Sequence, residues 1–353
     1  MGQRAMSVSC AVVPRSELHL MRFATRHLFK PIGLLTLEFS AYLACVGVAV
    51  VSTSLVLKLA AAVIAGVLTA TLAIIGHDCA HRGGTRSHRV NRIIATIGFL
   101  PALHPLSRWE YHHNQVHHRY TAQLGRDNAF PPMTVEEYQS ASWSARLYYR
   151  FLRSIWGQPF FYLVQIWAKD IIPPRLSLFT RRDWFDFALV CLWAIVLLAG
   201  TAALSHSIHP DGGWWMATGN SAVFALLIPF LVWNLFISFV TVVQHTGPNV
   251  RWSMSIGRPS NFEQKLRGTV RIRFPEIVDV VFHRLMQHPA HHINPIIPLY
   301  TLKSAQHRLE DLDPKGLMVV RWTPAYHLRL TRVCKLYDPA RNGWCDFQYR
   351  PTA

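Results

Sequence analysis

Charge is scarce in this 353-residue chain. Asp, Glu, Lys and Arg together make up 16% of it, against 51% apolar residues. The length alone admits two soluble domains, but long apolar runs argue for one membrane domain instead. Acid is scarcer than base: 19 Asp and Glu stand against 36 Lys and Arg, a formal net charge of +17. Such an excess fits either a nucleic-acid binder or a basic surface facing anionic lipid heads; its distribution favours the lipid face and no nucleic acid. Cysteine is sparse too. Cys10, Cys45, Cys79, Cys191, Cys334 and Cys345 form no C-x-x-C pair, and Cys45 and Cys191 lie in apolar runs. A disulfide framework is therefore not expected, and a reducing compartment fits. Residues 1–30 lack a continuous apolar core before a small-residue cleavage site, so no signal peptide is expected. After Met1-Gly2-Gln3-Arg4, Met6 stands where N-myristoylation needs Ser or Thr.

Four apolar runs, 34–51, 55–76, 185–204 and 221–243, are long enough to span. About 20 residues at roughly 1.5 Å each cover the roughly 30 Å hydrocarbon core. Glu38 and Asn234 interrupt the first and fourth runs and are expected to face the bundle interior. The first two runs, joined at Ser52–Ser54, read as a hairpin. With these spans, 35 of the 36 Lys and Arg fall on one side and only Lys58 does not, as the positive-inside rule expects of the cytoplasmic face. Both termini share that side. Segment 93–103 is too short to span, and 151–172 is aromatic but carries Arg153, Gln165 and Lys169; both read as interfacial helices or a buried cap. The expected organisation is a cytosolic segment 1–33, a membrane domain 34–310 and a cytosolic tail 311–353.

Histidine is abundant, and it is clustered. His77-Asp78-Cys79-Ala80-His81, His113-Asn114-Gln115-Val116-His117-His118 and His288-Pro289-Ala290-His291-His292 all fall on the basic side, as does His245 at the end of an apolar run. Imidazole is a good ligand for iron, zinc and copper, and histidines three or four apart share a helix face. His77 with His81, and His113 with His117, are four apart. His118 can address a second metal, and His112 competes with His113. His288, His291 and His292 repeat the pattern. Eight such ligands exceed one four-coordinate zinc and suit two metal ions with open positions. His245, taken alone, reads as a capping or structural residue. Asp78 lies off the His77/His81 face and is a candidate acceptor for a neighbouring ligand's N–H; His307 is a candidate for a similar outer role. A pair of irons could use O₂ to take hydrogen from an unactivated C–H bond, which no acid–base side chain can do. In a membrane, an acyl chain is the natural substrate.

The three boxes, in this order beside these spans, resemble those of the integral-membrane fatty-acid desaturases, closest to the bacterial and cyanobacterial Δ12 (omega-6) acyl-lipid type. Gly76-His77-Asp78-Cys79-Ala80-His81-Arg82 resembles the first box, with Ala80 where Gly is common. Arg126-Asp127-Asn128-Ala129-Phe130 resembles the stretch after the second, Gln244-His245-Thr246-Gly247-Pro248 the extra-histidine motif, and the run from His291 to Tyr300 the third box and its tail. The likeness covers roughly residues 35–310.

The resemblance implies an all-α integral membrane fold: four transmembrane helices under a cytosolic helical cap that carries a di-iron site. Its nine implied ligands are His77, His81, His113, His117, His118, His245, His288, His291 and His292, and Asp127 and Asn128 join Asp78, His112 and His307 as outer candidates. Two sequence features depart from the pattern. Three residues separate His113 from His117, where many relatives have two, and His288 stands where front-end desaturases have Gln. No His-Pro-Gly-Gly haem motif is present, so electrons are expected from a separate carrier such as ferredoxin or cytochrome b5. The expected activity is O₂-dependent desaturation of an acyl chain in a membrane lipid. A hydroxylase or other oxygenase on the same scaffold is the alternative, and a membrane metal transporter a remote one.

Overall fold

The computed structural model describes residues 20–171, 179–254, 257–314 and 316–353. The readings at Met1–Arg4, Met6, Cys10 and Ile172 lie outside the described residues. Four helices are long and apolar enough to cross a membrane: Phe29–Val51, Leu55–Ala80, Arg181–Ile208 and Pro210–His245. Each contains one of the expected runs and extends past it. Ser54 accepts the Leu57 N–H at the start of the second span. Thr180 and Asp183 form a reciprocal capping box at the start of the third, with Thr180 N–H to Asp183 Oδ2 at 2.8 Å. The fourth widens into a π-type turn at Ala222–Leu227, just before Pro229. Proline there has no N–H to donate and crowds the carbonyl four residues earlier.

The extensions carry the chemistry. The second span has 26 residues and the fourth helical stretch 36. At 1.5 Å per residue even the shorter runs roughly 39 Å, about 9 Å more than a hydrocarbon core. Both overrun at the same end of the bundle, where His77, His81 and His245 lie. The opposite end is closed by short polar stitches. Asn220 donates to Val50 O at 2.8 Å and accepts from Lys58 Nζ at 2.6 Å, and the His209 ring meets Val51 O at 2.7 Å. Glu38 and Asn234 do face the interior: Glu38 meets His283 Nε2 at 2.7 Å, and Asn234 donates to Phe230 O at 2.9 Å.

Two close approaches fix the packing of the second span. A Cβ on Gly66 would lie 2.4 Å from Val232 Cβ, so the second and fourth spans touch there nearly backbone to side-chain root. A Cβ on Gly98 would lie 2.6 Å from Leu72 O, which seats helix His88–Phe99 against the second span. Small residues permit such approaches in apolar bundles. Segment 93–103 therefore contributes a helix packed beside a span, with Ile94, Ala95 and Phe99 buried. Segment 151–171 closes one helix at Leu152, turns at 153–157 and is helical again from Gln158 to Ile171. Tyr162 N–H donates to Ser238 Oγ at 2.9 Å, pinning it to the fourth span, while Trp156 faces outward.

The non-spanning residues are less purely helical than expected. Gln123–Leu124 pairs in parallel with Ser253–Met254, Val270–Arg273 in parallel with Met318–Arg321, and Leu336–Asp338 antiparallel with Gly343–Cys345. Strands of two to four residues carry too little alternation to be legible. The last two pairings draw the carboxy-terminal stretch into the core: Tyr337 and Trp344 are fully buried, and Trp344 Nε1 donates to Val250 O at 3.2 Å.

The Gly98 contact makes a direct prediction. Gly98→Leu is expected to lower stability by roughly 1–3 kcal/mol, whereas Gly33→Leu, with no neighbour within 4 Å of its Cβ position, is expected to change it little. Thermal unfolding in detergent measures both; equal melting temperatures would remove this contact as a packing constraint.

Candidate metal centre

The nine histidines arrive from four places. His77 sits in the last turn of the second span and His81 caps that helix. His245 ends the fourth span. His288, His291 and His292 occupy the short helix His288–Ile293, whose Ala290 N–H is held by Gln306 Oε1 at 3.0 Å. The second box begins as an α-helix at Leu106–Glu110 and continues as a π-type turn over Tyr111–His117. Its signature is the His118 N–H reaching back five residues to His113 O at 2.8 Å. Across this wider turn His113 Nε2 meets His118 Nε2 at 3.0 Å. Trp109 supports His113 from behind, stacked at 4.3 Å between ring centroids.

The side chains form two groups whose nearest donor atoms all lie within 4.8 Å of one another. One holds His77, His81, His113, His118 and His291; the other holds His117, His245, His288 and His292. The groups share a wall, since the rings of His118 and His292 stack at 4.2 Å. His113, not His112, enters the first group.

Hydrogen bonding cannot account for this arrangement. Nε2 of His113 meets Nε2 of both His77 and His118 at 3.0 Å, and Nε2 of His118 also meets that of His291 at 3.1 Å. A ring nitrogen has one in-plane site, either an N–H or a lone pair, so one atom cannot bond two such neighbours. Four nitrogens in a chain at 3.0–3.1 Å are instead the edges of a coordination shell: ligands about 2.1 Å from one ion, at right angles, stand about 3.0 Å apart. The second group repeats the spacing, His117 to His292 at 3.1 Å and His245 to His288 at 2.7 Å. The donor set fits two metal ions.

Electrostatics agrees. Burial first, then the neighbouring rings, pushes the His113, His118, His288, His291 and His292 imidazoles well below the ordinary histidine range. Neutral rings keep the lone pairs a metal requires.

Outer contacts fix several rings through Nδ1. Asp127 Oδ1 meets His117 Nδ1 at 2.8 Å. Burial works to raise the Asp127 carboxyl, but His117 and the Ala129 N–H outweigh it and hold it below its ordinary value. His245 Nδ1 faces Gly268 O at 3.3 Å, and His292 Nδ1 faces Thr121 Oγ1 at 3.1 Å. Asn128 and His112 pair with each other at 3.1 Å, and His112 reaches Asp170 at 3.2 Å. Asp78 turns off the ligand face, its carboxyl near the Leu299 backbone and bonded to no histidine ring. His307 faces Arg271 at 3.4 Å, away from both groups. Thr121, Trp109 and Gly268 were not singled out from sequence. Thr121 lies one helical turn past His117 and bonds its carbonyl at 2.9 Å, a local signal that was available; a backbone carbonyl such as that of Gly268 leaves none.

An apolar cavity runs up to both groups. Phe99, Tyr162, Trp233, Phe236, Ile237 and Val240 wall it, and His77, His113, His117, His245 and His288 line its inner end.

Comparison with known proteins agrees with this geometry. The family model described as fatty acid desaturase matches residues 53–324, and the chain belongs to that family. It is similar to an sn-1 oleoyl-lipid 12-desaturase of Synechocystis sp., 31% identical over 274 residues that cover 78% of this chain and 74% of the relative. A second protein so named, from Picosynechococcus sp., is 29% identical over 76% of this chain and 74% of its own. A chloroplastic omega-6 fatty acid desaturase of Glycine max is 26% identical over 77% of this chain and 61% of its own. The chain is thus an enzyme of the oxidoreductase class.

Two predictions follow from the nitrogen geometry. His291→Ala and His292→Ala, one in each group, are each expected to lower metal content from two ions per chain toward one, read by elemental analysis. His113→Ala should do the same and His112→Ala should not; equal loss in the latter pair would overturn the placement of His113. Asp127→Asn is expected to weaken metal affinity or activity on the order of 10–100-fold, measured by chelator competition.

Proposed function

We propose that the chain catalyses O₂-dependent desaturation of an acyl chain in a membrane lipid, in the manner of the oleoyl-lipid 12-desaturases it resembles. The observation that carries this reading is the apolar cavity ending against both histidine groups. A flexible hydrocarbon can lie there without losing solvation, since its partners are aromatic and branched aliphatic walls. The nine histidines would hold two irons. Bound there, the irons would supply, with O₂, the redox chemistry that removes hydrogen from an unactivated C–H bond.

The chain's own residues do the rest. Phe99, Tyr162, Trp233 and Ile237 hold the acyl chain in register with the inner end of the cavity, and this positioning selects the two carbons that react. The packed walls exclude water. Asp127 keeps His117 in one orientation, with Nε2 free for the metal. The electron balance requires a partner: a –CH₂–CH₂– unit gives two electrons and two protons, while O₂ needs four of each to become two waters. Two electrons and two protons must come from elsewhere, and a separate one-electron carrier such as ferredoxin or cytochrome b5 supplies the electrons. The basic residues and both histidine groups share one side of the bundle, which supports a cytoplasmic cap, with the termini on that side.

Lipid mass spectrometry in a host expressing the chain, beside the His117→Ala/His291→Ala double variant, tests the reading. Acyl species lighter by two hydrogens, absent from the variant, are expected, with the double bond at the position the cavity selects. Species heavier by one oxygen would make the enzyme a hydroxylase. Ile237→Trp is expected to cut product on the order of 10–100-fold with metal content intact; an unchanged yield would remove the cavity from the acyl path.

A further inference from the structure

A second groove opens near His245 and shares no lining residue with the acyl cavity. Its floor is built from residues that touch this ligand's own surroundings. Gly247 is two residues beyond His245, and Arg267 and Val270 flank Gly268 and Thr269. The Gly268 carbonyl faces His245 Nδ1 at 3.3 Å. A Cβ on Gly247 would lie 3.5 Å from Tyr326 Oη and 3.7 Å from Val270 Cγ2, so the floor is closely packed there. One wall is the strand Met318–Arg321, half-buried over Met318, Val319 and Val320. No Asp or Glu lines the groove among the described residues.

The rim is basic. Arg329 lines it and is exposed. Arg332 stands one turn further along the same helix, Pro324–Val333, and is also exposed. Arg251 is tethered to the rim by its Nη1 bond to Pro248 O at 3.0 Å. Among the described residues, Arg251, Arg329 and Arg332 form no ion pair, whereas Arg267 is paired with Glu263. A groove of mixed polar and apolar lining with unpaired cations at its rim is the complement of a small acidic protein.

We infer that this groove docks the acidic one-electron carrier protein that reduces the metal centre, and that the His245–Gly268 contact is where its electrons enter. The inference rests on the desaturase reading, whose balance of two external electrons per double bond requires two successive dockings. Each docking oxidises one carrier by one electron. The route would run from the carrier past Arg267 and Val270, which line the groove on either side of Gly268 in sequence, to the Gly268 carbonyl and the His245 ring. It enters the group of four histidines and not the group of five.

The test is binding of an acidic [2Fe–2S] ferredoxin, and separately of a soluble cytochrome b5 domain, to the full chain in nanodiscs by surface plasmon resonance at low salt. At least one is expected to bind. Arg329→Glu/Arg332→Glu should weaken that binding about tenfold or more and flatten its salt dependence, while Arg329→Gln/Arg332→Gln should lie between. Arg89→Glu, exposed on helix His88–Phe99, should leave binding unchanged. Metal content of the variants, equal to that of the parent, checks the fold. Binding of neither carrier, binding insensitive to the Arg329/Arg332 reversal, or equal weakening by Arg89→Glu would each overturn the docking site. So would loss of affinity for phosphatidylglycerol vesicles with carrier binding intact, which would make the groove a lipid contact. Because the readout is carrier affinity and not product, absence of double bonds would sink the desaturase reading without touching this result.

Discussion

Nine imidazole rings can share one buried volume only while every inward nitrogen has somewhere to direct its lone pair. The condition is severe. An unfilled lone pair would leave a buried acceptor unsatisfied. The pairwise Nε2 distances near 3 Å show that the rings converge on common points instead of bonding in pairs. The architecture serves that convergence. Two spans overrun the bilayer to deliver His77, His81 and His245, a short helix pinned by Gln306 delivers three more, and a widened helical turn delivers the last three.

The four apolar helices and the histidine end of the molecule divide the labour. Inside hydrocarbon the backbone must satisfy itself, so the spans are helices closely packed at Gly66 and Gly98. At the histidine end the chain adopts turns, small parallel strand pairs and buried side-chain ties such as Asp127 and Thr121, because only irregular backbone can bring Nδ1 partners to rings from four separate segments. Asp127 illustrates the economy of such a tie: one carboxylate orients His117 and also accepts the Ala122 and Ala129 N–H groups.

Much of this was legible in the sequence, for specific reasons. The four spans stand out because hydropathy over about 20 residues is a strong signal, and the ligand candidates because i,i+4 spacing reports a shared face. The competition between His112 and His113 was beyond spacing alone: it depends on a π-type turn, and the local sequence does not announce where a helix will widen. His245 was ambiguous as a lone histidine and gained meaning only from the motif around it. The strand pairs escaped notice because all are too short to alternate, and two of the three join segments far apart in sequence. Asp78 and His307 were placed by proximity in sequence or type, and three-dimensional packing turned each toward other partners, Leu299 and Arg271.

The widened turn at Tyr111–His117 also bears on how such a site can change over time. An insertion in a helix ordinarily rotates everything beyond it by about 100°, which here would swing His117 and His118 off their partners. A local bulge confines the disturbance to one turn, so the flanking helix and the metal-facing rings keep their places. The length of this box is therefore free to drift by one residue without rewriting the ligand set.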